Sequence, residues 1–275
     1  MLARPVRRLL DVGVSALIVT VALFPILWGF LSSFKPSAEI VSFPPRLFPS
    51  TITFEHYRAI YDTGILHYLL NSFLVSAGTI ALCLACGTIG AYALARFSFR
   101  GKTLVTLVII MVMSIPIPSL LIPTFTWISD LGLINTRLAL VLVYTAYQLP
   151  FVIWILATYY QSLPEELEWS AAIDGYGKLA TLWKIVLPLS WPGMVAATLF
   201  VITFAWNDFV VAVVLLSSEE TRTLPIGIYN YLGFYGRDWG PLLAAAMVSI
   251  VPLLAIFLVL QRYFVAGMTG GSVKG

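Results

Sequence analysis

Six long apolar runs take up more than half of this sequence: about Leu9–Phe34, Tyr68–Ala95, Thr103–Trp127, Leu138–Tyr160, Pro188–Leu216 and Pro241–Phe264. A helix of ~20 mostly apolar residues crosses a bilayer, and backbone groups in lipid have no water to bond, so each run is constrained to be helical. Composition agrees: 60% of the 275 residues are hydrophobic and 11% charged, against roughly a quarter charged in soluble domains. The expected fold is an all-α polytopic membrane protein, six transmembrane helices over residues 9–264, with a short N-terminus (1–8) and a C-terminal tail (265–275). Too little polar sequence remains for a separate soluble domain. Any catalysis coupled to ATP or electrons therefore belongs to another polypeptide.

The first run follows Arg4, Arg7 and Arg8. It exceeds the ~7–15 apolar residues of a signal-peptide core, and no small-residue cleavage site stands out near Phe34, so it reads as a retained helix. Charge sets the orientation. With the N-terminus inside, Arg4, Arg7, Arg8, Arg96, Arg100, Lys102, Lys178, Lys184, Arg262 and Lys274 fall in the cytoplasm, and Lys35, Arg46, Arg58, Arg137, Arg222 and Arg237 outside, ten against six. This is the positive-inside bias, carried most by the short loop from Arg96 to Lys102. Both termini and the polar stretch 161–187 are then cytoplasmic, and 35–67 is an outer loop.

Few side chains within the spans carry chemistry. In Phe204-Ala-Trp206-Asn207-Asp208-Phe209, Asp208 is the one carboxylate set deep among apolar residues, and lipid obliges it to find a polar partner or water. Trp206 and Asn207 add stacking and hydrogen bonding suited to a hydroxyl-rich solute. The trio reads either as pore-facing or as a polar staple between helices or subunits. The third run contains Ser114-Ile-Pro-Ile-Pro-Ser and Pro123; proline removes a donor and crowds the preceding turn, so this span must kink or break. Cys83 and Cys86, spaced C-x-x-C in the second run, read as small packing residues, since two thiols alone make a poor metal site.

The outer loop has Pro36, Pro44, Pro45 and Pro49, then Phe-Glu-His-Tyr-Arg-Ala-Ile-Tyr from Phe54. That octet predicts a short amphipathic helix along the interface, either an anchor or a plain connector. His56 and His67, with no second cluster of ligands, read as wet surface groups. Tyr229, Tyr231, Phe234, Tyr235 and Trp239, interleaved with Glu219, Glu220, Arg222, Arg237 and Asp238, read as an interfacial aromatic belt. No nucleophile with an adjacent base, phosphate-cradling glycine loop or metal-spaced set of ligands occurs. The expectation is no catalytic residue, no metal and no nucleic-acid partner.

Between the fourth and fifth runs lies a polar stretch that from Glu168 to Pro188 reads E-W-S-A-A-I-D-G-Y-G-K-L-A-T-L-W-K-I-V-L-P. Leu163-Pro164-Glu165-Glu166 opens a helix, with proline tolerated in the first turn and carboxylates at the positive end of the dipole. Ala171, Ala172 and Ile173 form a small apolar face, Asp174-Gly175 permits a tight reversal, and Leu179, Leu182 and Ile185 recur at helical spacing. A helix-turn-helix lying on the cytoplasmic surface is predicted, shaped to seat in a cleft of another protein.

This stretch resembles the E-A-A, three residues, G, nine residues, I-x-L-P signature of ATP-binding-cassette (ABC) importer permeases: Trp169-Ser170-Ala171, then Gly175, then Ile185-Val186-Leu187-Pro188. Flanking Leu163-Pro164, Ile173-Asp174-Gly175, Pro188-Leu189 and Pro192-Gly193 resemble the sugar-importer branch, in particular its maltose-type second, shorter permease. That kind also carries a W-N-D/E element, matched by Trp206-Asn207-Asp208, and a G-L-T-x-G-x-V-K-G end, matched by Gly267 to Gly275. The similar layout covers nearly the whole chain. One departure matters: Trp169 replaces the signature glutamate and Ser170 the first alanine, so whatever bond that glutamate makes is absent or shifted to Glu168.

The resemblance implies the type I ABC importer permease fold and half of a pore carrying a di- or oligosaccharide into a prokaryotic cell across its cytoplasmic (inner) membrane. It also implies a second homologous permease in a heterodimer, two ATPase subunits and an extracytoplasmic solute-binding protein. ATP and Mg would lie on the ATPases, with no cofactor on this chain. Glu168, Trp169, Ser170, Ala171, Asp174, Gly175, Ile185, Leu187 and Pro188 would belong to the ATPase-coupling loop, and Gly270, Gly271 and Lys274 of the tail would contact the ATPases. Two other readings stand beside it. An ion-coupled secondary transporter would show internal repeats and several intramembrane ionisable groups; an importer for a glycerol-phosphate or polyol solute would share the same layout. A membrane-embedded enzyme would need paired catalytic groups in the spans.

Overall fold

The computed structural model describes residues 4–233 and 238–270, with side chains from 11 to 233 and from 238 to 261. In chain order the helices are α1 (Arg4–Ser32), α2 (Ser37–Ile40), α3 (Glu55–Asp62), α4 (Ile65–Arg96), α5 (Lys102–Met113), α6 (Ile117–Asp130), α7 (Arg137–Ser162) and α8 (Glu166–Ile173). There follow α9 (Lys178–Thr181), a π turn (Leu182–Val186), α10 (Leu187–Leu189), α11 (Trp191–Asn207), α12 (Val210–Leu215), α13 (Leu224–Tyr229), a 3₁₀ turn (Asn230–Leu232) and α14 (Trp239–Gly270). No strand occurs among the described residues. Segments Asp11–Ser32, Ile65–Arg96, Arg137–Ser162 and Trp239–Gln261 are each long and apolar enough to cross a membrane.

The remaining two expected spans are bent pairs, Lys102–Met113 with Ile117–Asp130 at 100° and Lys178–Leu189 with Trp191–Asn207 at 78°. Counting each pair as one crossing gives the six anticipated. The first break falls on Ser114-Ile-Pro, where Pro116 caps α6 in an extended conformation and cannot continue the helix before it. The fifth span departs from its expected limits. Pro188 belongs to the short helix before the bend, and α11 stops at Asn207, with α12 resuming at Val210. Helix α14 runs on to Gly270, into the stretch expected as tail; Gly271 and Lys274 lie outside the described residues.

The chain divides into two compact units. One comprises Met1–Leu66 and Gly227–Val251. Its organising side chain is Lys35, 1% exposed, whose Nζ donates to the Arg46 carbonyl at 2.6 Å and to Ser32 Oγ at 3.1 Å and stands 4.6 Å from the Trp28 ring centroid. Burial holds this ammonium below the usual lysine value, the Glu39 carboxylate opposing. Helix α3 forms where the octet predicted, burying His56 and Ile60. His56 is therefore not the wet group expected: its Nε2 lies 2.8 Å from the Lys35 carbonyl, and a buried imidazole needs such a partner.

The other unit comprises His67–Ile226 and Pro252–Gly275. Along α4 and α7 the packed pairs rise together, with Gly78 beside Val141, Gly87 beside Val152 and Gly90 beside Ile153, so these helices are parallel. Along α7 and α11 the pairs run in opposite directions: Tyr144 against Phe204, with ring centroids 5.4 Å apart, and Phe151 against Phe200 at 4.5 Å. That is the alternation of successive membrane crossings. One core gathers Cys83, Tyr92, Val152, Leu156, Tyr160, Leu182, Val186 and Val201; a second gathers Val75, Leu140, Tyr144, Ala205, Val211 and Leu215. Cys83 is buried as a packing residue, whereas Cys86 is exposed.

Amides tie the loop after α12 to the spans. Asn71 Nδ2 donates to the Glu220 and Arg222 carbonyls at 2.9 and 2.8 Å, and Ser72 Oγ accepts from Leu224 N at 2.8 Å. Asn135 Oδ1 accepts from Ser217 N, Ser218 N and Thr221 Oγ1 at 2.8–3.1 Å. His67 is exposed, its Nε2 2.6 Å from the Glu220 carbonyl.

Close packing of α11 on α7 requires Gly193, where a Cβ would stand 2.7 Å from the Tyr159 ring. Gly193→Ala should cost about 1–3 kcal/mol by overpacking, lowering the thermal unfolding midpoint in detergent. Gly13→Ala, where the added methyl meets nothing within 4 Å, should leave the midpoint unchanged or higher. Equal effects at the two sites would remove the close-approach explanation.

Candidate functional site

The polar stretch forms the helix-turn-helix its local chemistry demands. After Leu163 turns extended, α8 begins beyond Pro164 and ends in a glycine stop. Gly175 has φ +86, its N–H donates to the Ala172 carbonyl at 3.1 Å, and the Tyr176 N–H donates to Ala171 at 2.9 Å. Those paired bonds satisfy the last carbonyls of α8 as a left-handed residue after the final turn does. A Cβ on Gly175 would meet nothing within 4 Å, so glycine is required by conformation and not by packing.

One face of α8 is clamped. Arg96, the last residue of α4, directs Nε at Glu168 Oε1 (2.5 Å) and Nη2 at the Leu163 carbonyl (2.9 Å), while Tyr92 OH donates to Glu168 Oε2 at 2.8 Å. The Arg96 and Glu168 side chains are each 5% exposed. Glu165 lies farther, 3.8 Å from Arg96 Nη1, and is exposed. Ala171 packs beneath Glu168 at helical spacing, with Leu182 and Val186 of the π turn also buried. A buried carboxylate is tolerable only with such partners, and two donors from α4 supply them, Arg96 Nε and Tyr92 OH.

The opposite face is bare. Trp169 is 59% exposed and Ile173 86%, one turn apart on α8, and Leu179 and Trp183 are likewise exposed. Ser170 Oγ turns back to the Glu166 carbonyl at 2.9 Å. Lys184 Nζ sits 4.8 Å from the Tyr176 ring centroid. Of the other residues predicted for this loop, Asp174 closes α8, Ile185 lies in the π turn and Leu187 and Pro188 form α10.

The Trp206 group lies elsewhere, at the break between α11 and α12. Asp208 Oδ2 accepts from Tyr144 OH at 2.7 Å and from the N–H groups of Val211 and Ala212 at 3.1 Å each. It thus caps α12 and ties it to α7. Trp206 is buried; Asn207 is exposed, its Nδ2 donating to the Thr203 carbonyl at 2.8 Å.

Residues 84–270, which contain both sites, match the family described as "Binding-protein-dependent transport system inner membrane component". The chain belongs to that family. Curated relatives agree over nearly full length. The sulfoquinovosyl glycerol transport system permease protein SmoH of Agrobacterium fabrum is 36% identical over 96% of this chain and 93% of its own. The trehalose/maltose transport system permease protein MalG of Thermococcus litoralis is 34% identical over 98% and 97%, and the diacetylchitobiose uptake system permease protein DasC of Streptomyces coelicolor 32% over 96% and 96%. Among solved structures, a bacterial ABC transporter involved in alginate import superposes with a TM-score of 0.83 at 23% identity, covering 96% of this chain and 99% of that one. The expected all-α permease fold is therefore the observed one, and this permease is a transport subunit, not an enzyme.

Sequence reasoning missed Arg96 and Tyr92 as members of the site. Arg96 counted only as an orienting charge, because its partner lies 72 residues away and no local pattern joins them. Removing one side of a buried ion pair costs about 3–5 kcal/mol, so Glu168→Leu and Arg96→Leu should each markedly lower the unfolding midpoint. The double variant should lose less than the two singles combined; strict additivity would mean that the pair does not act as a unit.

At the helix break, Asp208→Ala removes three bonds, whereas Asp208→Asn keeps an acceptor oxygen. The alanine variant should unfold at a clearly lower temperature than the asparagine one. Equal midpoints would show that these bonds do not hold α12.

Proposed function

We propose that this permease forms half of the translocation pore of an ATP-driven importer that carries a di- or oligosaccharide across a prokaryotic cytoplasmic membrane. The observation that carries the reading is the bare apolar face of Trp169 and Ile173 on α8, whose other face is locked by Arg96 through Glu168, with Leu179 and Trp183 exposed on the turns that follow. An exposed apolar patch centred on α8, between the fourth and fifth crossings and on a rigid mount, is a protein-binding surface. Docked in the cleft of an ATPase, α8 would act as a coupling helix. Closure of two ATPase subunits would move such helices as rigid bodies and switch the pore between two states. ATP and Mg would bind on those subunits, with no cofactor on this chain.

The positive-inside charge pattern supports placing both termini and α8 in the cytoplasm, with 35–67 and 216–238 facing the binding protein. A pore of this kind needs a second homologous permease beside this one, and the heterodimer is part of the proposal. A carbohydrate cargo is supported by the names of the trehalose/maltose, diacetylchitobiose and arabinooligosaccharide permeases that share 32–35% identity with this chain. A glycerol-linked solute is the second reading, favoured by the sulfoquinovosyl glycerol relative.

Gly175 tests the coupling role. Because a side chain there touches nothing in this chain, Gly175→Trp should abolish ATPase co-purification and uptake while leaving membrane insertion intact. Gly175→Asn, a residue that enters the left-handed region readily, should retain ATPase attachment. Normal co-purification of the ATPase with Gly175→Trp would sink the coupling role of this turn.

A further inference from the structure

Gln148 is a polar side chain of the spans that takes part in neither the Glu168 clamp nor the Asp208 cap. It lies on α7, roughly 17 Å from one end of that helix and 21 Å from the other at 1.5 Å per residue, near the centre of a ~30 Å hydrocarbon layer. It is half-buried, and its carboxamide makes no hydrogen bond among the described residues. By contrast, its three polar neighbours on α7 are satisfied: Tyr144 by Asp208, Tyr147 by Thr124 at 2.7 Å, Thr145 by the Val141 carbonyl at 2.6 Å. An unpartnered amide at that depth is costly in lipid, so it faces protein or a water-filled space.

The surroundings favour the water-filled space. Because Tyr144 meets Asp208 and Phe204, Phe151 meets Phe200 and Tyr159 meets Gly193, Gln148 stands level with Thr203 on antiparallel α11. Thr203 and, one turn on, Asn207 are both exposed. The backbone breaks immediately beyond, at Asp208-Phe209, and irregular backbone at membrane depth is tolerated where it is buried in protein or lines a cavity. One turn below Gln148, the Phe151–Phe200 pair, at 4.5 Å and tilted 54°, offers an apolar wall, with Phe200 half exposed.

We propose that Gln148, with Asn207 on the facing helix, forms a mid-membrane half-site for the hydroxyls of a neutral saccharide, whose C–H face rests on the Phe151–Phe200 pair. Each carboxamide both donates and accepts, which matches hydroxyls that do the same. The solute is uncharged because the nearest charged group is the Asp208 carboxylate, which repels an anion, and no described cation lies at this depth of α7 or α11. The proposal rests on the importer reading above and adds the cargo's chemistry and the groups that touch it.

The test uses the complete transporter in proteoliposomes, with its ATPases, second permease and binding protein, and radiolabelled trehalose, maltose and diacetylchitobiose as neutral probes beside an alginate disaccharide as the anionic one. Gln148→Leu should cut uptake of the neutral sugar at least about fivefold, the size of effect expected for losing a hydrogen bond. ATPase stimulation by loaded binding protein and assembly on size exclusion should stay within about twofold of the parent, and Gln148→Asn should recover part of the uptake. Unchanged uptake in Gln148→Leu overturns the half-site. Loss of assembly also overturns it, making Gln148 glue between permeases, and so does preferential uptake of the anionic probe by the parent complex. If the parent complex shows no ATP-dependent uptake of any probe, the importer reading itself fails, an outcome read before any variant is compared.

Discussion

Lipid offers no hydrogen bonds, and the polar contacts within the spans and at their ends answer that constraint. Helices satisfy their own backbones, so the places that need help are the breaks, the ends and the few polar side chains within the spans. At the break between α11 and α12, one carboxylate oxygen of Asp208 gathers two backbone N–H groups and the Tyr144 hydroxyl. At the end of α4, Arg96 closes a buried ion pair with Glu168 and takes up a free carbonyl besides. Beside α1, the buried Lys35 ammonium finds a carbonyl, a hydroxyl and an indole face.

These fastenings divide the molecule by task. Asp208 and the amides of Asn71 and Asn135 hold the architecture of one end of the spans, where a helix is interrupted and a loop must lie in a defined path. Arg96 and Glu168 hold α8 against α4, which mounts the helix-turn-helix firmly on the end of a long apolar helix. The clamp draws on one face of α8 only. Trp169 and Ile173 are left outward, and an aromatic anchor on a short rigid helix is the kind of group that dominates protein interfaces.

Trp169 shows both the use and the limit of pattern reading. Local chemistry located the helix-turn-helix and the signature spacing put Trp169 within it, yet the glutamate expected there is gone. The carboxylate that the structure employs is the neighbouring Glu168, and a shift of one residue turns a helix face by about 100°. Position 168 therefore points inward, toward Arg96 and Tyr92, and position 169 outward. His56 was misjudged for a related reason: amphipathic spacing located α3, but which of its faces would be covered depended on the Lys35 carbonyl and on Gly240 of α14, whose missing side chain leaves room for the His56 ring.

The chain's own order of residues determined the all-helical class, the six crossings, the break at the proline cluster and the reversal at Gly175. Each of these is a local matter of apolar run length, a missing amide donor or a left-handed φ. Only the tertiary structure decided that Arg96 is a clamp as well as an orienting charge, that Asp208 caps a second half-helix, and that Gln148 stands level with Thr203 without a partner. Those facts are set by which helices lie side by side and at what height. Parallel α4 and α7 and antiparallel α11 bring together residues about 35 to 65 positions apart, a distance at which no periodicity in the sequence survives.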